Sequence, residues 1–188
     1  MAKAGFNHIH GANTFTQGYV KSAWGVDDRG LLEDVERFLT QLSEKQEPWF
    51  ATVLTSGTHH PLNVPADYAP QSGSDLHRAF SYLDDAVDRF FTRLNRKGFL
   101  DDTLIVLTSD ESAGIPMRGQ IVPEMLSQNW GVMGLFGAGM TPEVTDEVFG
   151  LVDLPLTIAD GLGLASDAAD FIGRSMIRSY DRGRHIFF

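Results

Sequence analysis

The stretch Thr103–Gly114 constrains the fold more than any other part of the chain. Residues 104–108 read Leu-Ile-Val-Leu-Thr, all apolar or β-branched and without a charge. Such a run is typical of a strand that is buried on both faces of a mostly parallel or mixed sheet. Two adjacent carboxylates, Asp110 and Glu111, follow it. Because ligands bind beyond the carboxyl ends of strands in open α/β sheets, these two acids lie where chemistry is usually done.

The acidic pair Asp110 and Glu111 is a candidate metal site. Hard cations prefer oxygen ligands, and two carboxylates at the tip of a strand supply them. The pair therefore predicts a site for one divalent cation, Mg²⁺, Ca²⁺ or Mn²⁺. An acidic turn after a core strand explains the same residues without a metal, and this alternative stays open here.

Helices and further strands alternate around this stretch. Apolar residues at three- and four-residue steps predict helices, and short apolar runs predict strands. The predicted elements are, in order, a helix capped by Asp27 or Asp28 that ends before Pro48, a strand over 49–55, a helix with Asp75 as its N-cap, the strand over 104–108, strands over 130–136 and 148–151, and a helix from 153 to 162. This alternation predicts an α/β fold with crossover connections and flanking helices. A length of 188 residues fits a single domain over residues 1–188.

Two histidines, His59 and His60, directly follow the predicted strand over 49–55. Their loop contains several prolines and glycines, which exclude a regular element. In a parallel sheet this strand tip lies on the same edge as Asp110. A histidine at that edge can hydrogen-bond an anionic substrate or transfer a proton. We therefore predict that both histidines bind substrate, while solvated loop histidines remain the alternative.

Charge and composition exclude several classes of function. A net charge of −10 argues against binding to nucleic acid, which depends on clustered lysine and arginine. No apolar run approaches the roughly 18 residues that a membrane-spanning helix needs. The absence of cysteine excludes disulfides, thiolate nucleophiles and zinc sites built on cysteine.

Several short motifs follow one another along the chain: Lys3–Phe6, Trp24–Asp28, Trp49–Pro61 with its x-His-x-Pro ending, Ala79–Asp110, Val152–Thr157 and Phe171–Ser175. Their order and spacing resemble the C-terminal part of the sulfatase-like alkaline phosphatase superfamily. Within it, the resemblance is to the lipoteichoic acid synthase and phosphoglycerol transferase branch. The resemblance implies an alkaline-phosphatase-like α/β sandwich, present in part, and metal-dependent transfer of phosphoryl or sulfuryl groups.

The resemblance also assigns roles to particular residues. In this branch a threonine nucleophile, an upstream acid and an Asp-His pair hold one divalent ion. Asp110 matches the aspartate of that pair, and His59 matches the histidine on the substrate side. Glu111 stands where the family has histidine or asparagine, and Ser112 stands where it usually has glycine. This substitution favours an oxygen-only Mg²⁺ or Ca²⁺ site over Mn²⁺ or Zn²⁺.

The family's nucleophile and first metal acid lie upstream of the part that this chain resembles. We therefore expect the C-terminal portion of a larger enzyme, inactive alone, whose parent acts on anionic esters at the extracytoplasmic face of a bacterial cell envelope. Contact with the membrane is expected only through other parts of the parent. Apolar edges left exposed in such a portion predict self-association. The alternative function is a non-catalytic domain that binds a partner or an anionic ligand.

Overall fold

The computed structural model describes residues 2–16, 19–68, 73–110, 112, 126–137, 139–165, 170–183 and 185. The chain divides into two compact units, Met1–Lys97 and Gly98–Phe188, each described by itself below. Helices and a small sheet together confirm the α/β class. The single domain over residues 1–188 stays a prediction.

Two long helices form the first unit. Helix α1 spans Asp28–Ser43 and helix α2 spans Asp75–Arg96, and the two pack against each other. Both were predicted from the spacing of their apolar residues. That spacing places one apolar face of each helix in a shared core, which contains Leu31, Leu32, Leu39, Ala79, Tyr82, Ala86, Phe90 and Leu94.

The caps of the two helices follow the prediction at α1 and depart from it at α2. The Asp27 carboxylate caps α1 by accepting a hydrogen bond from the Gly30 amide at 3.0 Å. At α2 the cap is Ser74, whose hydroxyl accepts from the His77 amide at 3.3 Å. The prediction of Asp75 as N-cap is therefore wrong by one residue. Asp75 is the first helical residue, where its charge still favours the helix dipole.

A buried carboxylate, Glu36, joins the middle of α1 to the end of α2. It accepts hydrogen bonds from the Arg93 guanidinium and from the Lys97 ammonium, the latter at 2.8 Å. Burial alone would raise the pKa of Glu36, but the hydrogen bonds from Lys97 and Arg93 outweigh it and lower that pKa. The ionised Glu36 carboxylate therefore stabilises the folded state.

Glu36→Gln is expected to lower the free energy of unfolding by about 1–3 kcal/mol at neutral pH, because two cations lose their buried partner. The pKa of Glu36 is lower in the folded than in the unfolded chain, so its contribution is present above the unfolded-state pKa and is lost as the pH falls through the folded-state pKa. Urea denaturation across this range measures the effect. The exposed Glu44→Gln variant is the control, and an equal loss in both variants would contradict the prediction.

Residues 49–55, predicted to be a buried strand, form no strand and are largely exposed. Phe50 is 67% exposed and Leu54 is 65% exposed. A strand needs a neighbour to satisfy its backbone N–H and C=O groups. Within the residues that the structure describes, no strand pairs with this segment. The predicted strand is therefore wrong, although the segment keeps its apolar composition.

The second unit begins with a 3₁₀ turn at Phe99–Asp101 and continues into a two-stranded ribbon. Strand β1 spans Ile105–Thr108 and strand β2 spans Met133–Phe136. They pair antiparallel, with Ile105 opposite Phe136 and Thr108 opposite Met133. Both strands were predicted, but burial on both faces is wrong for β1, since Leu107 is 41% exposed. Parallel pairing is also wrong for these two strands.

A short helix follows the ribbon. A 3₁₀ turn at Leu151–Asp153 leads into helix α3, Leu154–Gly161, which confirms the predicted helix. The predicted strand over 148–151 is wrong. Residues 150–153 form a turn instead, in which the buried carboxylate of Asp153 accepts a hydrogen bond from the Gly150 amide at 2.8 Å. None of the helices in the described ranges is both long and apolar enough to cross a membrane.

Candidate functional site

The predicted substrate histidine His59 lies in a tight turn of the first unit. Its amide donates to the Ser56 carbonyl at 3.1 Å. Its ring packs against the exposed indole of Trp24, with ring centroids 4.2 Å apart. The ring nitrogen Nδ1 lies 2.7 Å from the carbonyl oxygen of His60. Three contacts therefore fix both the backbone and the ring of His59.

The contact with the His60 carbonyl determines which nitrogen of His59 is available for chemistry. A carbonyl oxygen only accepts hydrogen bonds, so Nδ1 carries the hydrogen. Nε2 is then the nitrogen that takes up a proton, and in the charged ring it donates to an anion. Both histidines are exposed, as a group that binds a substrate from solution must be.

Two consecutive carboxylates at the start of α1 are buried, and Asp27 is the first of them. It accepts hydrogen bonds from the amides of Tyr19 at 2.7 Å, Val20 at 3.0 Å and Gly30 at 3.0 Å. It also accepts from the Tyr82 hydroxyl at 2.6 Å. Burial, together with the hydrogen bond to Asp27, raises the pKa of Tyr82 far above its usual range. Tyr82 is therefore a neutral, permanent donor.

The second buried carboxylate, Asp28, holds the histidine turn. Its Oδ1 accepts from the amides of Ser56 and Gly57, each at 3.1 Å. Burial raises the pKa of Asp28, the two backbone hydrogen bonds oppose this rise, and the neighbouring charge of Asp27 adds to it. From the sequence, this pair of aspartates predicts only a helix cap. Two successive aspartates where one suffices for the cap were the available signal.

Asp110, the predicted metal ligand, lies in the second unit and is exposed shortly after the end of β1. The adjacent Ser109 extends the ribbon, since its hydroxyl accepts from the Val132 amide at 3.1 Å. The other predicted ligand, Glu111, lies outside the described residues. His59 and His60, in contrast, are described together in the first unit.

The fit of a divalent cation rests on the donors at this position. The carboxylate of Asp110 is an oxygen ligand of the kind that Mg²⁺, Ca²⁺ or Mn²⁺ takes. Among the residues described, no group of three His, Asp or Glu side chains could hold a metal ion. Asp110 therefore fits as one ligand, and the described residues do not complete a site.

The sequence model of the Sulfatase family matches residues 2–147, which is most of the chain. The chain therefore belongs to the sulfatase family. The match includes the histidine turn and the predicted metal ligand at Asp110. It confirms the family resemblance drawn from the motifs.

Within this family, the chain is similar in sequence to curated proteins named phosphoglycerol transferase I. Phosphoglycerol transferase I from Xanthomonas campestris pv. campestris is 32% identical over 124 residues, covering 60% of this chain and 18% of that protein. The protein of the same name from Xanthomonas axonopodis pv. citri is 31% identical over the same length. The chain thus spans less than a fifth of the length of the relatives it matches.

Two solved structures share the fold. A protein in the alkaline phosphatase superfamily from Vibrio parahaemolyticus matches with a TM-score of 0.81 and 25% identity, over 95% of this chain and 43% of that one. The lipoteichoic acid synthase LtaP from Listeria monocytogenes matches with a TM-score of 0.73 and 19% identity, over 87% and 45%. The alkaline-phosphatase-like fold predicted from the motifs is therefore confirmed.

Proposed function

We propose that this chain forms part of a metal-dependent enzyme that transfers or hydrolyses phosphate or sulfate esters. The observation that carries the proposal is the family match over residues 2–147, which includes both His59 and Asp110. In the relatives' name, phosphoglycerol is the transferred group, so a phosphoglycerol transferase is the favoured form of the activity. The expectation of an inactive isolated chain belongs to the same proposal.

The roles follow from the chemistry of the side chains. His59, with Nδ1 committed to the His60 carbonyl, presents Nε2–H to an anionic ester oxygen when the ring is charged. His60, its neighbour in the same exposed turn, is the second substrate contact. Asp110 and Glu111 hold one divalent cation, which when bound supplies charge stabilisation at the transferring group. The anionic ester is the partner, and the bacterial cell envelope is the proposed location.

His59→Ala in the full-length protein is expected to lower kcat/KM for the ester by roughly 100-fold, the usual effect of losing one donor to a developing charge. The assay compares a phosphate monoester, a phosphate diester and a sulfate ester in the presence of Mg²⁺, Ca²⁺ or Mn²⁺. His60→Ala should cost less. His10→Ala is the matched control, because His10 is an exposed histidine of the same unit that packs on Phe38.

A non-catalytic binding domain is the second candidate function, and the residue at position 111 favours it. Glu111 replaces the histidine or asparagine expected from the family resemblance, which removes a nitrogen or amide ligand. If no ester is turned over with any of the three cations, while an ester analogue still binds in a His59-dependent manner, this candidate replaces the enzyme.

A further inference from the structure

The turn that carries His59 rests on a carboxylate from a different element. Asp28 is the first residue of α1 and is fully buried. Its Oδ1 accepts both the Ser56 and the Gly57 amides at 3.1 Å. A carboxylate that accepts hydrogen bonds from two successive backbone amides fixes the orientation of both peptide groups, because each bond constrains one N–H direction.

Asp28 is not required to start the helix. Asp27 already caps α1 through the Gly30 amide. Burial raises the pKa of Asp28, and its Oδ2 is a buried oxygen for which the described residues provide no hydrogen-bond partner. A buried carboxylate with one oxygen unsatisfied reduces the stability of the fold. Its placement is therefore better explained by the turn that it holds than by stability.

The fit between Asp28 and the turn leaves no room for a side chain. A Cβ atom added to Gly57 would lie 2.3 Å from Oδ2 of Asp28 and 2.9 Å from its Cγ. Glycine at position 57 therefore allows the backbone to lie directly against the carboxylate. The backbone amide of Asn63 donates to the Gly57 carbonyl at 3.1 Å, so both the N–H and the C=O of Gly57 are hydrogen-bonded.

The backbone that Asp28 holds at Ser56 and Gly57 in turn fixes the position of the His59 imidazole. The Ser56 carbonyl accepts the His59 amide, which closes the turn, and the His59 ring then lies against Trp24 and the His60 carbonyl. We propose that Asp28 is a positioning residue, which holds the turn at Ser56 and Gly57 so that His59 presents Nε2 to the anionic ester. This inference rests on the proposed substrate-binding role of His59.

The test compares Asp28→Asn with Asp28→Ala. Asparagine keeps an acceptor oxygen for the two amides and removes the buried charge, whereas alanine removes the acceptor. Nuclear Overhauser contacts between the Trp24 indole and the His59 imidazole are measured on this chain. They are expected to persist in Asp28→Asn and to disappear in Asp28→Ala. In the full-length protein, Asp28→Ala should lower kcat/KM roughly tenfold, and Asp28→Asn should restore most of it.

Gly57→Ala provides a second variant that leaves Asp28 in place. Its methyl group must displace the carboxylate or the turn, so the Trp24–His59 contacts should also be lost. If Asp28→Ala fails to fold, Gly57→Ala tests the positioning role in its place. Contacts that persist in a folded Asp28→Ala or Gly57→Ala protein would overturn the positioning role.

The activity measurements separate this inference from the proposed function. If His59→Ala leaves ester turnover unchanged, the proposed role of His59 fails, and the role of Asp28 in substrate binding fails with it. If His59→Ala lowers turnover but Asp28→Ala does not, only the positioning role is overturned. An equal loss of kcat/KM in Asp28→Asn and Asp28→Ala would also overturn the positioning role, because only asparagine keeps the acceptor oxygen.

Discussion

Replacing Asp110 with alanine is expected to lower kcat/KM of the full-length protein by about a thousandfold or more and to remove its bound divalent cation. The proposed cation stabilises charge on the transferring group, and loss of such stabilisation affects the transition state more than the ground state. The effect should therefore fall mainly on kcat. Turnover of a phosphate diester and metal content per protein, measured together on one preparation, check both parts of this prediction.

The controls for this experiment are two other substitutions. Asp110→Asn keeps one oxygen ligand and should retain part of the metal affinity. Asp102→Ala removes an exposed carboxylate shortly before β1 that accepts from the Thr103 hydroxyl at 3.1 Å, and it should leave turnover unchanged. Unaltered turnover and metal content in Asp110→Ala would show that Asp110 is not the ligand.

Asp27→Ala is expected to lower the free energy of unfolding by about 3–5 kcal/mol. The carboxylate accepts four hydrogen bonds, from three backbone amides and the Tyr82 hydroxyl. Alanine leaves these donors without their acceptor in a buried region, and it removes the α1 cap. Urea denaturation followed by circular dichroism measures the loss.

A double-mutant cycle with Tyr82→Phe isolates one of these hydrogen bonds. Tyr82→Phe alone should cost about 1–3 kcal/mol, because it leaves the buried Asp27 carboxylate with one donor fewer. In the Asp27→Ala background the same change should cost much less. The exposed Asp84→Ala variant on α2 is the control. Additive losses would mean that the 2.6 Å contact between the Tyr82 hydroxyl and Asp27 contributes little to stability.

The helices of this chain were predictable from its sequence, because helical periodicity is a local property. The apolar stripe that includes Leu31 and Leu39 predicts α1, and the one that includes Ala79 and Phe90 predicts α2. Strand pairing is not local. The run over 104–108 contains the strand, but nothing in it specifies that Ile105 pairs antiparallel with Phe136. The apolar run over 49–55 likewise does not specify whether a neighbouring strand is present.

The candidate site was predictable only in part for the same reason. The position of His59 after an apolar run indicated a substrate contact. The carboxylate pair after the run over 104–108, and then the family motifs, indicated Asp110. The contact between Asp28 and the Ser56–Gly57 amides joins residues far apart in the chain. The second aspartate of the pair signals a role beyond the cap, but no local pattern specifies which amides it binds. Aspartates at the start of a helix are explained locally by the cap and by the helix dipole. Only the three-dimensional structure shows that the two carboxylates hold different segments.

The adjacency of Asp27 and Asp28 links the fluctuations of two distant segments. Asp27 holds the amides of Tyr19 and Val20, and Asp28 holds those of Ser56 and Gly57. Both carboxylates belong to the start of one helix, so unwinding of its first turn frees all four amides in a single event. In native-state hydrogen exchange these amides would therefore share one opening free energy and behave as one cooperative unit. The turn that carries His59 then has the local stability of a helix terminus rather than that of an independent loop.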